Sequence, residues 1–285
     1  MRDWVSIGLM LAVAFGMTLG MRADGPAHAA PVLLAQADET NKVDVELVLA
    51  VDVSYSMDMD ELAVQREGYA QAITSREFLQ ALKTGPTGKV AVIYFEWAAS
   101  GDQKIIIPWR VIDGPESADA VASEILKTPL RRASRTSISG AINFAMPLFE
   151  QNTYRGLRRV IDISGDGPNN NGDPVTEARD SAVAKGIVIN GLPIMVKEIN
   201  AATMDIENLD YYYEDCVVGG PGAFVVPIKT KEKFKEAIRT KLVLEVAGSA
   251  PKHRAPQARV VPVSASEPRI SCGIGEQMWR DRFGR

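Results

Sequence analysis

Oxygen-bearing side chains follow an apolar segment near the start of the chain. Residues 45–52 read V-E-L-V-L-A-V-D, and Ser54 and Ser56 come directly after the terminal Asp52. An apolar run whose only charge before that acid is Glu46 is typical of a central strand in a parallel sheet, covered on both faces. Ligands of such sheets gather beyond the carboxyl ends of the strands. The pattern therefore predicts a site for a cation or a phosphate.

Two further segments place oxygen ligands at the same predicted edge. Ser134, Arg135, Thr136 and Ser137 lie just before a predicted helix, and Asp166 follows a predicted strand. Each segment alone is explained by helix capping or turn chemistry, so the prediction depends on their combination. Two carboxylates and three hydroxyls, with no nitrogen or sulfur, suit a hard divalent cation. Mg²⁺ fits best because it prefers octahedral oxygen, and Mn²⁺ and Ca²⁺ are the alternatives.

The apolar periodicity predicts alternating strands and helices over residues 44–247. This alternation indicates an α/β domain with a doubly wound, mostly parallel sheet. The short connection at 100–102 predicts an antiparallel hairpin, which leaves 103–112 as one antiparallel edge strand. The predicted strands are 45–52, 89–97, 103–112, 157–164, 187–195 and 223–227, and the predicted helices are 58–74 (continued or followed by 78–82), 115–126, 137–149, 174–185, 205–214 and 231–246.

The two ends of the chain have a different character. Residues 1–37 predict an export signal with a short leader, because Arg2 precedes an uncharged apolar run and A-x-A patterns put cleavage near residue 29 or 37. We therefore expect a periplasmic or secreted protein, associated with the membrane only if this segment stays uncleaved. Residues 248–285 lack periodicity and predict a mostly disordered tail, unless Cys272 ties part of it down. Cys216 and Cys272 are an even count in an oxidising compartment and predict a disulfide.

Composition argues against several functional classes. The net charge is −4 and the basic residues are scattered, so no nucleic-acid partner is expected. The two histidines, His28 and His253, lie outside the predicted folded core. Catalysis of the Ser-His-Asp or Cys-His kind and a histidine-based zinc site are therefore not expected. The chain is predicted not to be an enzyme.

Three sequence motifs resemble the metal-ion-dependent adhesion site of von Willebrand factor A domains. They are D-V-S-Y-S at 52–56, R-T-S-I-S-G-A-I at 135–142 and I-S-G-D-G at 163–167, in the order that the family has. The resemblance implies a central, mostly parallel sheet with one antiparallel edge strand and flanking helices. The stretch at 211–224 is also similar to exported bacterial members of this family whose role is unassigned.

The resemblance also implies roles for individual residues. The hydroxyls of Ser54, Ser56 and Thr136 would hold the cation directly or through water, and Asp52 and Asp166 would act directly or through bound waters. An acidic side chain of a protein partner would complete the coordination of the metal. Two departures stand out: Tyr55 replaces a frequent glycine, and the neighbouring Ser137 leaves the second loop ambiguous by one residue.

Two other interpretations explain part of the pattern. In a haloacid-dehalogenase-like, Mg²⁺-dependent phosphohydrolase, Asp52 would be the nucleophile and residues 165–173 the acidic metal loop. That chemistry expects a second aspartate as general acid where Ser54 stands, and a serine hydroxyl is far too weak an acid. In a structural export module, the metal would only stabilise loops. The sequence favours an exported, metal-dependent protein-binding module.

Overall fold

A computed structural model describes residues 41–197, 204–247, 259–260 and 268–284. The predicted export signal at 1–37 lies outside these residues, as does much of the predicted tail. None of the helices within the described ranges is long and apolar enough to cross a membrane.

The described strands form one mixed sheet with the order β3-β2-β1-β4-β5-β6-β7. Neighbours from β2 through β1, β4 and β5 to β6 are parallel, and β3 pairs with β2 in the antiparallel sense. The predicted fold class is confirmed, and β7 adds a short antiparallel strand at the opposite edge. The strands are β1 (Lys42–Asp52), β2 (Val90–Trp97), β3 (Gln103–Ile112), β4 (Arg155–Gly165), β5 (Ile187–Pro193), β6 (Phe224–Val225) and β7 (Arg259–Val260).

Strand β1 is central and is buried from Val43 to its last residue. Glu46 lies within this strand and is only 1% exposed, but its carboxylate is hydrogen-bonded. The Glu46 carboxylate accepts hydrogen bonds from Gly156 N at 2.8 Å and from Asn152 Nδ2 at 3.0 Å. Burial of this charge is tolerated because its oxygens are hydrogen-bonded.

Helices cover both faces of the sheet. Helices α1, α2, α3 and α7 pack on one face, and α4 and α5 pack on the other. Helix α6 runs directly into a π-helix at Tyr213–Val217. The helices are α1 (Met59–Thr74), α2 (Arg76–Leu82), α3 (Pro115–Lys127), α4 (Ile138–Leu148), α5 (Val175–Ala184), α6 (Leu209–Tyr212), α7 (Phe234–Ala247) and α8 (Ile274–Phe283).

The sheet reverses its winding between β1 and β4. From β1 the chain continues to β2 on one side, whereas β4 on the other side continues to β5. The connections diverge at this point and leave a crevice beyond the carboxyl ends of the two strands, where ligands of open α/β sheets bind. Asp52 ends β1 and Asp166 directly follows β4, so both acids lie at this crevice.

Two segments differ from the sequence prediction. The helix predicted at 205–214 is α-helical only over Leu209–Tyr212 before it becomes a π-helix. Helix α8 was not predicted, because its apolar pattern is weak and the preceding tail has no periodicity.

The disulfide between Cys216 and Cys272 is confirmed, and it links the π-helix to the segment that leads into α8.

Candidate metal centre

Three loops form the candidate site: the first follows β1 (53–58), the second precedes α4 (128–137) and the third follows β4 (166–174). The first loop folds around Asp52, which is fully buried. Asp52 Oδ1 accepts a hydrogen bond from Ser54 N at 2.7 Å, so the turn after β1 is fixed by the acid itself. The hydroxyls of Ser54 and Ser56 share a hydrogen bond of 2.8 Å. The alternate spacing of the two serines therefore turns both hydroxyls toward one point beyond the sheet edge.

The third loop joins the first through a direct hydrogen bond. Ser56 Oγ donates to Asp166 Oδ1 at 2.5 Å across 110 positions of sequence. A side chain added at Gly165 would place its Cβ 2.8 Å from Asp52 Oδ2, so β1 and β4 approach closely enough to require glycine there. Four of the predicted site residues are thus within one connected group.

The second loop lies against both of the others. Ala133 N donates to Val53 O at 3.0 Å, which pairs this loop with the first. Asn170 Oδ1 accepts from Thr136 N at 3.0 Å, and Asn170 N donates to Thr136 O at 2.8 Å, which pairs it with the third. Thr136 lines the same cavity of about 390 Å³ as Ser54 and Ser56.

Thr136 and Ser137 have different local roles. Ser137 is the N-cap of α4, and its hydroxyl accepts from Gly140 N at 3.1 Å and donates to Asn171 O at 2.7 Å. These bonds commit the Ser137 hydroxyl to the helix start. Thr136, which lines the cavity, is therefore the better ligand candidate of the pair.

The site concentrates buried negative charge. Burial, together with the nearby charge of Asp166, raises the pKa of Asp52 from 3.8 to about 8, against the hydrogen bonds from Ser54. Burial likewise raises the pKa of Asp166 above its ordinary value. Asp52 Oδ2 is buried without a hydrogen-bond partner among the described residues. A cation at this edge would relieve both the desolvation and the repulsion.

A lysine that the sequence analysis did not identify lies against the site. Lys197 Nζ is 2.9 Å from Asp166 Oδ2 and 2.8 Å from Glu61 Oε2, and it also donates to Ser56 O. Burial lowers the pKa of Lys197, but the carboxylates of Asp166 and Glu61 outweigh this effect and raise it. The ammonium is thus an internal cation on one of the five candidate ligands. No local pattern predicts this contact, since Lys197 is a single lysine that follows a predicted strand.

Three consecutive asparagines, at 169–171, lie in the loop after β4. Asn169 is fully buried and its Oδ1 accepts from Ser139 N at 3.0 Å. Asn170 pairs with Thr136 as described, and Asn171 Oδ1 accepts from Ser100 N at 2.9 Å. The run of amides connects the third loop to the second, so it positions the site.

The candidate ligand set consists of oxygen atoms only. In the described part of the chain, no group of three or more His, Cys, Asp or Glu side chains could hold a metal ion. The candidate set instead combines two carboxylates with hydroxyls of serine and threonine, which is oxygen chemistry suited to a hard cation such as Mg²⁺.

Comparisons with known proteins place the chain in a family. Residues 42–250 match the family model described as "Protein of unknown function (DUF1194)". No curated protein matches the sequence.

Solved structures with a similar fold include an adhesin and two related modules. The pilus adhesin SpaC from Lactobacillus rhamnosus GG has a TM-score of 0.51 at 12% identity, and the match covers 72% of this chain and 30% of SpaC. A von Willebrand factor type A protein from Catenulispora acidiphila has a TM-score of 0.48 at 15% identity, covering 72% and 43% of the two chains. Proximal thread matrix protein 1 from the mussel byssus, solved with a zinc-occupied MIDAS motif, has a TM-score of 0.45 at 15% identity, covering 72% and 48%.

These likenesses concern the fold alone. The match spans less than half the length of each of the three solved chains. At 12% identity, the likeness to SpaC shows a similar fold, and activity and partners do not follow from it.

Proposed function

We propose that this chain, which belongs to the DUF1194 family, is a metal-dependent protein-binding module of the von Willebrand factor A type. Its ligand would be an acidic side chain of a protein partner. The proposal is supported by one observation above the others: Asp52 and Asp166 are buried side by side at the switch point of the sheet, with hydroxyls around them.

Lys197 pairs with Asp166, whereas the buried Asp52 keeps one oxygen without a hydrogen-bond partner among the described residues, which is costly. The unpartnered oxygen of Asp52 and its raised pKa both indicate this cost. The residues that would hold a divalent ion are Asp52, Ser54, Ser56, Thr136 and Asp166. Five such ligands would leave one of the six positions of an octahedral ion open to an incoming carboxylate. We propose Mg²⁺ as the ion, with Mn²⁺ and Ca²⁺ as the alternatives.

The residues of the three loops are better suited to binding a ligand through a metal than to catalysis. None of the described residues that line the site is a histidine, and the position two residues after Asp52 is Ser54, not the acid that phosphohydrolase chemistry would use. We therefore propose a non-enzymatic role. The Cys216–Cys272 disulfide supports export, because such bonds persist in oxidising compartments.

Affinity capture from an envelope extract of the host cell tests this proposal. The full chain and its Asp52→Ala variant are each used as bait, with Mg²⁺ or with EDTA, and Asp119→Ala on exposed α3 surface is the matched acidic control. We expect partners only with wild type and Asp119→Ala in Mg²⁺. Equal recovery in all samples would contradict the proposal. A parallel phosphoester assay tests the enzymatic alternative, which would be favoured by Mg²⁺-dependent turnover that Asp52→Asn abolishes.

A further inference from the structure

Helix α8 lies beside the candidate metal centre and is attached to it at several points. The disulfide of Cys272 fixes the segment just before the helix. Glu276 Oε1 accepts a hydrogen bond from Asn169 Nδ2 at 2.6 Å. A Cβ added at Gly275 would lie 2.1 Å from Asn169 O, so the helix approaches the third loop as closely as only glycine permits.

The face of α8 toward the site carries two aromatic side chains. Trp279 and Phe283 are four residues apart, with ring centroids separated by 4.2 Å. The guanidinium of Arg135 lies 3.3 Å from the centroid of the Trp279 ring, a cation–π contact. Arg135 has a φ of +75°, a conformation that is rare for arginine, and it stands directly before the candidate ligand Thr136.

The cavity of about 390 Å³ has one polar wall and one apolar wall. The candidate ligands Ser54, Ser56 and Thr136 line it on the loops, and Trp279 and Phe283 line it from α8. Phe283 is 53% exposed although it is a large aromatic residue. An exposed apolar patch that borders a polar site indicates an interaction surface.

Cations flank the same opening. The guanidinium of Arg132 lies 5.3 Å from the centroid of the Tyr55 ring, and Tyr55 is 59% exposed at the mouth of the cavity. Arg135 itself lines the cavity, with its guanidinium over the Trp279 ring. Positive charge next to the opening complements an acidic ligand and disfavours a basic one.

We propose that α8 forms an aromatic wall that selects the partner segment: a carboxylate with an apolar side chain next to it in sequence. The carboxylate lies at the loops, and the neighbouring side chain packs on Trp279 and Phe283. This inference rests on the proposed function for the role of the carboxylate. The aromatic wall adds the second half of the recognition and makes the C-terminal segment part of the binding surface.

Short peptides test the wall directly. The probes are capped pentapeptides of glycine that carry Asp-Phe, Phe-Asp, Asp-Gly or Asn-Phe at their centre, titrated into the full chain in Mg²⁺ and in EDTA. Affinities are measured by calorimetry and NMR. The variants are Trp279→Ala, Phe283→Ala and their combination, and Leu126→Ala on α3 is the control for an exposed apolar residue that does not line the cavity.

We expect one of the Asp/Phe peptides to bind wild type on the order of 10-fold more tightly than the Asp-Gly peptide, since burial of a phenyl ring stabilises by this amount or more. The ratio should fall toward one in the double variant and stay high in Leu126→Ala. The wall is refuted if wild type binds these peptides equally, if none of them binds, or if the double variant keeps the preference. A preference for phenylalanine in the absence of the wall would point instead to a different apolar site.

The same titrations separate this inference from the proposed function. If Asp-Phe and Asn-Phe bind alike and EDTA has no effect, the metal-held carboxylate is wrong, while a preference that depends on Trp279 and Phe283 still supports the wall. If EDTA abolishes the advantage of aspartate over asparagine but the Phe preference is missing, the metal centre stands and the wall is wrong.

Discussion

Replacing Asp52 by asparagine should change stability in opposite directions with and without metal. The carboxylate of Asp52 is fully buried, and one of its oxygens has no hydrogen-bond partner in the described part of the chain. The other oxygen accepts from Ser54 N, a bond that the asparagine carbonyl can keep. The variant therefore removes the buried charge and leaves the turn.

The sign and size follow from the pKa of Asp52. It is raised from 3.8 to about 8 in the folded protein, so the folded state binds more protons than the unfolded state between these values. The free energy of unfolding of the metal-free wild type should then fall by up to about 1.4 kcal/mol for each pH unit between 4 and 8 relative to the variant. The neutral asparagine has no such dependence.

With Mg²⁺ bound, wild type should instead become more stable than Asp52→Asn. At an Mg²⁺ concentration of about 100 times Kd, binding adds roughly 2.7 kcal/mol to wild type, and Asp52→Asn should lose most of it. Urea unfolding followed by circular dichroism, at pH 5 to 8 in EDTA or Mg²⁺, measures both effects. A difference in unfolding free energy between wild type and variant that does not change with pH in EDTA would contradict a buried, titrating Asp52. Equal stabilisation of both proteins by Mg²⁺ would contradict Asp52 as a ligand.

Other substitutions probe the surroundings of the site. Lys197→Met should tighten Mg²⁺ binding by roughly tenfold in calorimetry, because it removes a competing cation whose hydrogen bonds are worth about 1.5 kcal/mol; unchanged or weaker binding would show that the lysine does not compete. Asn170→Ala should weaken Mg²⁺ binding several-fold by releasing the backbone of Thr136, and its unfolding free energy should fall by about 1 kcal/mol; normal affinity would mean that the loop holds itself. The double variant Cys216→Ser and Cys272→Ser removes a cross-link between residues 56 positions apart, which contributes up to about 4 kcal/mol. In hydrogen exchange, α8 should lose protection first while β1 stays protected. An equal loss of protection in α8 and β1 would contradict a local role of the disulfide.

The central architecture was predictable because buried strands and helices have characteristic apolar patterns in the sequence. Strand β1 is an uninterrupted apolar run since both of its faces are covered, and the hairpin of β2 and β3 follows from a short turn. The bounds of β3 agree with the prediction, while α1 begins one residue later because Asp58 is its N-cap.

The candidate site was predictable for a different reason. Asp52, Ser54 and Ser56 lie within one turn, and Asp166 ends a recognisable strand, so their convergence follows from a parallel sheet. The structure connects these four side chains by hydrogen bonds and places Thr136 on the same cavity as Ser54 and Ser56.

What the sequence did not predict depends on contacts between distant segments. Lys197 reaches Asp166 and Glu61 only in three dimensions, and nothing local distinguishes it from a solvated lysine. Helix α8 has little apolar patterning of its own and is held by a disulfide, by Asn169 and by stacking of Trp279 on Arg135. Tertiary contacts of this kind leave no periodic signal.

The most direct measurement of the central claim is anomalous diffraction from crystals of the full chain grown with Mn²⁺ in place of Mg²⁺. The proposed metal site predicts a single strong anomalous peak at the loop edge, in contact with the hydroxyls of Ser54, Ser56 and Thr136, with Lys197 moved away from Asp166. It predicts no such peak in Asp52→Asn under the same conditions. A wild-type map without manganese at these loops, or with the ion bound elsewhere and Lys197 still on Asp166, would contradict it.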